Sequence, residues 1–295
     1  VPGFVVAVFA FTYLGMALGR LPHLRIDRAG IALVAAVVLI AGGGVAVERV
    51  GGMLDSATLL LLFGLMVLSA QFAAAGFYDG CAAALARAEG SPFHLLLLVS
   101  LVAGGLSALL ANDVIAFAMT PVLCQGLLRR GLDPRPFLIA LAAATNAGSA
   151  ATAIGNPQNI FIAQFGRLDF LDFLAICGPP AVIALLAVPV FVHLVWRGRY
   201  ELAVATDDGK AEAIPLARDR RQFFKAILAT AALIGLFATP LPREASALLV
   251  AALLMASRRI ASRDLIAGVD WNLLVLFACL FVVTGTFAET DLATT

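Results

Sequence analysis

Charge is what this chain has least of. Only 13% of its 295 residues are Asp, Glu, Lys or Arg, about half the share of an ordinary soluble domain, and that shortage excludes a water-exposed surface of normal extent. Metal and redox motifs are missing too. Cys81, Cys124, Cys177 and Cys279 are scattered without a CxxC pair, which reads as buried small hydrophobes rather than a zinc or dithiol site. No HExxH occurs, no second aspartate sits deep in an apolar run to make a proteolytic pair, and Gly148-Ser149-Ala150 has no histidine at comparable depth, so an intramembrane enzyme is set aside. The net charge of +1 says little, because charge matters in a membrane through its distribution along the chain. No cofactor and no nucleic-acid partner are expected.

Apolar residues fill the space that charge leaves. They make up 62% of the chain, with a mean hydropathy of +0.99, and at about 20 residues per helical crossing the length accommodates roughly eight to ten passes. The expected fold class is all-α and polytopic, with the lipid bilayer as its surroundings. The first span covers 3–19, reads as a span rather than a cleaved signal, and ends at the basic turn of Arg20, Pro22, Arg25 and Arg28. The second covers 30–47, with Gly42-Gly43-Gly44 in its far half, and the third 57–76. Residues 77–92 mix Tyr78, Asp79, Arg87 and Glu89 with alanine and read as an interfacial segment. Two arms, 95–111 and 114–128, lead to a basic loop with Arg129, Arg130 and Arg135 and then to a helix over 137–165 that must break. A long span over 171–196 follows, in which Pro179, Pro180 and Pro189 predict kinks. After a charged linker, spans over 222–240, 245–257 and 270–288 end the series, and His23, His94 and His193 fall near span ends.

Two polar interruptions carry the chemistry. At the first, Asn112-Asp113 divides the paired arms, and Asp113 is the one carboxylate well inside a hydrophobic run. An aspartate at a helix centre in lipid costs about 3 kcal/mol, so it needs a partner, a proton or a water-filled cavity; the plainer role is capping the first turn of the second arm. At the second, Pro157 lacks an N–H and disfavours helix at Asn156, while Gly148 and Gly155 remove side chains, so intrahelical bonding lapses between them. Backbone groups freed at membrane depth are tolerated only where protein, water or a ligand satisfies them. The two interruptions are expected to face each other at mid-depth and to bind substrate and ion through Asn112, Asp113, Thr145, Asn146, Gly148, Ser149, Thr152, Gly155, Asn156, Pro157, Gln158 and Asn159. Within that set Asn112, Asp113, Asn146 and Ser149 are the expected ligands of Na+, with a proton on Asp113 as the other coupling ion. Ordinary helix–helix hydrogen bonding is the plainer reading of the same residues.

Charge distribution and internal similarity add a topology. With the N-terminus outside, and 93–128 entering and leaving on one side, all but Arg49, Arg167 and Arg243 of the 20 Lys and Arg fall inside, including those of the cytoplasmic loop 197–221. The second arm is short for a span, which favours a re-entrant hairpin. Ala29, Leu33, Val34, Ala35 and Ala36 recur as Ala245, Leu249, Val250, Ala251 and Ala252. At nearly the same offset Leu59, Leu60, Leu62 and Phe63 recur as Leu273, Leu274, Leu276 and Phe277, and Leu21-Pro22 resembles Leu241-Pro242. An odd number of crossings separates the copies, so the second would be inverted. On this reading 1–197 is a first repeat, 198–221 a linker and 222–295 the start of an incomplete second repeat. A C-terminally truncated chain is therefore expected, transport-incompetent alone and part of a protein of more than about 400 residues.

Asn112-Asp113 with Thr120-Pro121, and Ala144 to Thr152 with Gly155-Asn156-Pro157-Gln158-Asn159, resemble the ion transporter superfamily of arsenite pump membrane subunits, sodium/proton antiporters, and citrate and dicarboxylate transporters. The resemblance covers the whole chain. It implies two inverted repeats, each with a re-entrant helical hairpin and a broken transmembrane helix whose tips meet at mid-membrane, and a homodimer that moves its transport domain as an elevator. The implied activity is that of a secondary active permease in the inner membrane, carrying a small inorganic or organic anion (arsenite or carboxylate-like) with Na+ or H+. One departure matters. Where the dicarboxylate branch has a sequence like Ser-Asn-Thr, this chain has Ala111-Asn112-Asp113. A carboxylate there repels a dianion, which disfavours citrate or succinate and turns the expectation toward cation coupling or an uncharged substrate such as arsenous acid; Na+/H+ antiport is the alternative activity. A passive channel is the more remote alternative.

Overall fold

The computed structural model describes residues 2–19, 26–201, 219–237 and 239–290. Among them every regular element is a helix, apart from a single antiparallel bridge between Leu132 and Glu201. In chain order these are α1 (Pro2–Leu18), α2 (Arg28–Ala41), α3 (Val47–Met53), α4 (Ser56–Ala74), α5 (Phe77–Arg87), α6 (Pro92–Ser107) and α7 (Asn112–Leu128). They continue as α8 (Pro134–Ser149), α9 (Pro157–Phe165), α10 (Phe170–Trp196), α11 (Arg220–Phe237), α12 (Arg243–Met255), α13 (Ser262–Ala267) and α14 (Trp271–Ala288). Helices α4, α10 and α14 are long and apolar enough to cross a bilayer, and α1, α2, α6 and α7 are shorter apolar helices. The chain is an all-α, polytopic integral membrane protein.

Two compact units divide it. One comprises Val1–Phe63 with Asp270–Thr295. Its core joins Val5 of α1, Ala32, Ala35 and Leu39 of α2, and Val282 and Val283 of α14; Phe9 stacks on Phe287 with centroids 4.1 Å apart, and Arg49 meets Glu289 at 2.6 Å. The second span differs from its expected course over 30–47. Helix α2 stops at Ala41 because Gly43 takes a left-handed φ of 71° and the amides of Gly44 and Val45 turn back onto the Leu39 carbonyl at 2.8 and 3.3 Å. Its 14 residues rise only about 21 Å, and the short helix α3 begins at Val47, where the second span was expected to end.

The other unit comprises Gly64–Val269. Within residues 77–92, α5 buries Tyr78, Ala82 and Ala86 against its neighbours, with the Tyr78 hydroxyl 2.9 Å from Ser69 Oγ. Glycine makes the closest approaches. A Cβ on Gly126 of α7 would lie 2.3 Å from Ala86 Cβ of α5, and one on Gly148 of α8 would lie 2.0 Å from the Gly104 carbonyl oxygen of α6. Helix α10 packs Leu185 onto Gly104 and runs as one element through Pro179, Pro180 and Pro189. At its end the Asp133 amide donates to the Tyr200 carbonyl at 2.8 Å, and His193 Nδ1 lies 2.9 Å from the Tyr200 hydroxyl. The expected features at Arg20, Leu21-Pro22, His23 and Arg25, and most of the linker 198–221, lie outside the described residues.

Candidate ion and substrate site

Helix α8 opens on an Asp133 cap and Pro134, runs through alanine-rich sequence, and loses its ladder after Ser149; helix resumes at Pro157. Proline at the first helical position costs nothing, since its missing N–H would have had no helical partner there. Asn156 serves as the cap in an extended conformation, its Oδ1 accepting the Asn159 amide at 2.8 Å. The residues between are closed by side chains. Asn159 Nδ2 donates to the carbonyls of Thr152 (2.9 Å), Ser149 (3.2 Å) and Ala150 (3.4 Å), and Asn156 Nδ2 donates to Ser149 Oγ at 3.2 Å. Carbonyls released by the missing helical bonds are thereby satisfied within the chain. Gly155 is required where it stands, because a Cβ would meet the Ser149 carbonyl oxygen at 2.1 Å.

A second polar turn lies beside this one. Between α6 and α7 the chain passes through Ala108 to Ala111, and Thr152 Oγ1 donates to the Ala108 carbonyl at 2.5 Å. With the Gly104–Gly148 crossing one turn away, the end of α6 is held directly against the end of α8. Asn112 begins α7 and is buried, whereas Asp113, in the first turn, is exposed. Its carboxylate stands at the positive end of a helix dipole.

The expected residues thus fall into three groups. Thr145, Gly148, Ser149, Thr152 and Gly155 are buried; Asn112 is buried at the neighbouring turn; Asn146, Gln158 and Asp113 are exposed, with Asn156, Pro157 and Asn159 between. Thr145 Oγ1 and Asn146 Nδ2 both donate to Ala142 carbonyl, at 3.0 and 2.8 Å, and Ser149 Oγ donates to Asn146 carbonyl at 2.9 Å. These bonds occupy donors and leave hydroxyl and amide oxygens as neutral acceptors, the kind of ligand a hard monovalent cation takes. Sequence reading missed Ser107, whose Oγ is fully buried without a hydrogen-bond partner at the last residue of α6, and Ser100, two turns earlier, in the same condition. Serine in an alanine- and leucine-rich helix carries no signal of its own; only burial singles it out. Among the described residues no group of three or more His, Cys, Asp or Glu is placed to hold a metal ion.

Outside the apolar helices, Asp133 caps α8 with its side chain almost wholly buried, and the Arg135 guanidinium, at 2.7 Å, holds its carboxyl below the usual carboxylate range. It fixes where α8 starts, and hence where the interruption falls along it.

The model of the citrate transporter family (CitMHS) matches residues 8–295. An uncharacterized transporter of Mycobacterium tuberculosis is 29% identical over 279 residues, covering 90% of this chain and 64% of that protein. A 46 kDa membrane protein of Mycobacterium leprae is 29% identical over 296 residues, 97% of this chain and 68% of its own length. The human P protein is 39% identical over 158 residues, 49% of this chain and 18% of that protein. The chain therefore spans about two thirds of the mycobacterial relatives, and it belongs to the citrate transporter family.

Proposed function

We propose that the chain forms part of a secondary active transporter that moves a small inorganic or organic anion, arsenite or carboxylate-like, in company with Na+ or H+. It works as a homodimer in the inner membrane, N-terminus outside and loop 197–221 cytoplasmic. The supporting observation is the junction of two interrupted helical segments, with Thr152 hydrogen-bonded across it to the Ala108 carbonyl. In this reading α6 and α7 form a re-entrant hairpin, α8 and α9 a broken transmembrane helix, and both belong to the first of two inverted repeats. The carbonyl end of α8 suits a cation, near Asn112, Asp113, Asn146 and Ser149. The amide end of α9, opening at Pro157 and Gln158, suits a polar or anionic group.

A second reading, Na+/H+ antiport, is favoured by Asp113, an exposed carboxylate at the start of α7. The same carboxylate binds either ion in competition. Full-length protein reconstituted in liposomes distinguishes the cases: saturable uptake of citrate or arsenite that needs a Na+ or pH gradient supports symport, and gradient-driven Na+ flux without either anion supports antiport. Asp113→Asn is expected to abolish the ion dependence while the protein stays monodisperse; unchanged Na+ and pH dependence would remove Asp113 from the mechanism. Conductance beyond carrier rates would refute transport by alternating access.

A further inference from the structure

We propose that one face of α7 lines a water path along which Na+ travels between the Arg129 end of the helix and Asp113, which rests on the Na+-coupled reading above. Asp113, Phe117, Thr120 and Cys124 follow at intervals of four, three and four residues, which places them in one stripe of the helix. Asp113, Phe117 and Thr120 are exposed and Cys124 is half-buried, whereas Ile115, Met119, Val122 and Leu123, on the opposite side, are buried. The stripe is not built for lipid. Along α10 the residues open to the surroundings, such as Ile176, Ile183 and Leu194, are apolar; along α7 they include a carboxylate and a hydroxyl.

Thr120-Pro121 adds a backbone oxygen to the stripe. Pro121 lies inside α7 and is itself exposed; with no N–H of its own, it deprives the Phe117 carbonyl of the helical donor that position 121 would supply. The Thr120 hydroxyl does not replace that donor, because it gives its hydrogen to the Ala116 carbonyl at 2.6 Å, which leaves the hydroxyl oxygen as an acceptor. A carbonyl without its helical partner is tolerated at membrane depth only where protein, water or a ligand meets it. Here it stands about one turn from Asp113, with Thr120 about 10 Å from Asp113 along the axis. Carboxylate, carbonyl and hydroxyl oxygens in series suit a hard monovalent cation. The Phe117 ring, 82% exposed, does not oppose one, since the face of an aromatic ring attracts cations. Arg129 and Arg130 follow the helix but fall off the stripe, and Arg130 is turned onto the Ala86 and Ala88 carbonyls at 3.0 and 2.9 Å.

A face covered by lipid or by another part of the protein is the alternative, and thiol reactivity separates the cases. In full-length protein held in lipid nanodiscs, with Cys81, Cys124, Cys177 and Cys279 replaced by serine, Thr120→Cys is treated with trimethylammonioethyl or sulfonatoethyl methanethiosulfonate. Relative to their rates with a free thiol, the cationic reagent should react roughly 10-fold faster than the anionic one, and Asp113→Asn should remove that preference. Ile183→Cys, at a position 70% exposed on α10, should react with neither. A chain keeping Cys124 as its one cysteine, with no new side chain on α7, should show the same preference. There Na+ in place of choline should slow the reaction, and Pro121→Ala, which returns the missing N–H, should weaken that protection. Inert thiols at both positions, rates indifferent to reagent charge or no faster than at Ile183→Cys, and Na+ protection that is absent or unchanged by Pro121→Ala would each overturn the proposal. The expected reactivity in a protein without Na+-driven flux would leave the path standing and remove the transport reading; coupled flux with an inert stripe would do the reverse.

Discussion

Asn159 does at one position what a run of helical hydrogen bonds would otherwise do. Its amide nitrogen reaches the carbonyls of Ser149, Ala150 and Thr152, so that the interrupted backbone is closed by a single side chain. Removing that side chain leaves acceptors in an apolar surrounding at about 1–3 kcal/mol. Asn159→Ala is accordingly expected to lower the unfolding midpoint of the purified protein by that equivalent, whereas Gln158→Ala, one residue away and exposed, should change it little; similar effects from both would refute the role. The two residues look alike in sequence. Register on α9 separates them, and that depends on where Asn156 caps the helix. Gly148 was legible as a residue that weakens helix, but its contact with the Gly104 backbone was not, because nothing near Gly104 in sequence names its partner.

Among the elements, α8 shows how a start point sets a site. Asp133 caps it and is paired with Arg135, which depresses its carboxyl. A carboxyl depressed on folding adds stability that is present above its ordinary value, about 3.9, and is lost as pH falls through the lower value of the folded protein. Asp133→Asn keeps a capping oxygen and removes the charge. Its unfolding midpoint should lie below that of the parent at neutral pH and converge with it as pH drops below about 4; a gap that stays constant with pH would show that the pair contributes nothing. Helix α2 teaches the opposite lesson about legibility. Three consecutive glycines were visible as a place for distortion, yet apolar composition alone carried the expected span past them to residue 47. The left-handed Gly43 and the returning amides of Gly44 and Val45 end it at Ala41.

For the whole molecule, sidedness is the property the amino acids state most directly. With Cys81, Cys124, Cys177 and Cys279 replaced by serine, Arg167→Cys and Arg243→Cys are expected to react with an impermeant thiol reagent from outside, and Arg87→Cys and Arg258→Cys only after the inside is opened. Reaction of all four from one side would refute the topology. That the chain lies in a membrane, that it is helical, and that its helices are interrupted near Asn112 and between Ser149 and Pro157 were determined by the sequence alone, because hydropathy, proline and glycine act locally. Tertiary structure decided the rest. Which glycine meets which backbone, that Thr152 bonds to Ala108, and that Ser107 is buried without a partner all depend on helices packed across long separations. In a chain where most residues are apolar, pattern along the sequence cannot name a helix's neighbour; close packing of small residues can, and it exists only once the helices have met.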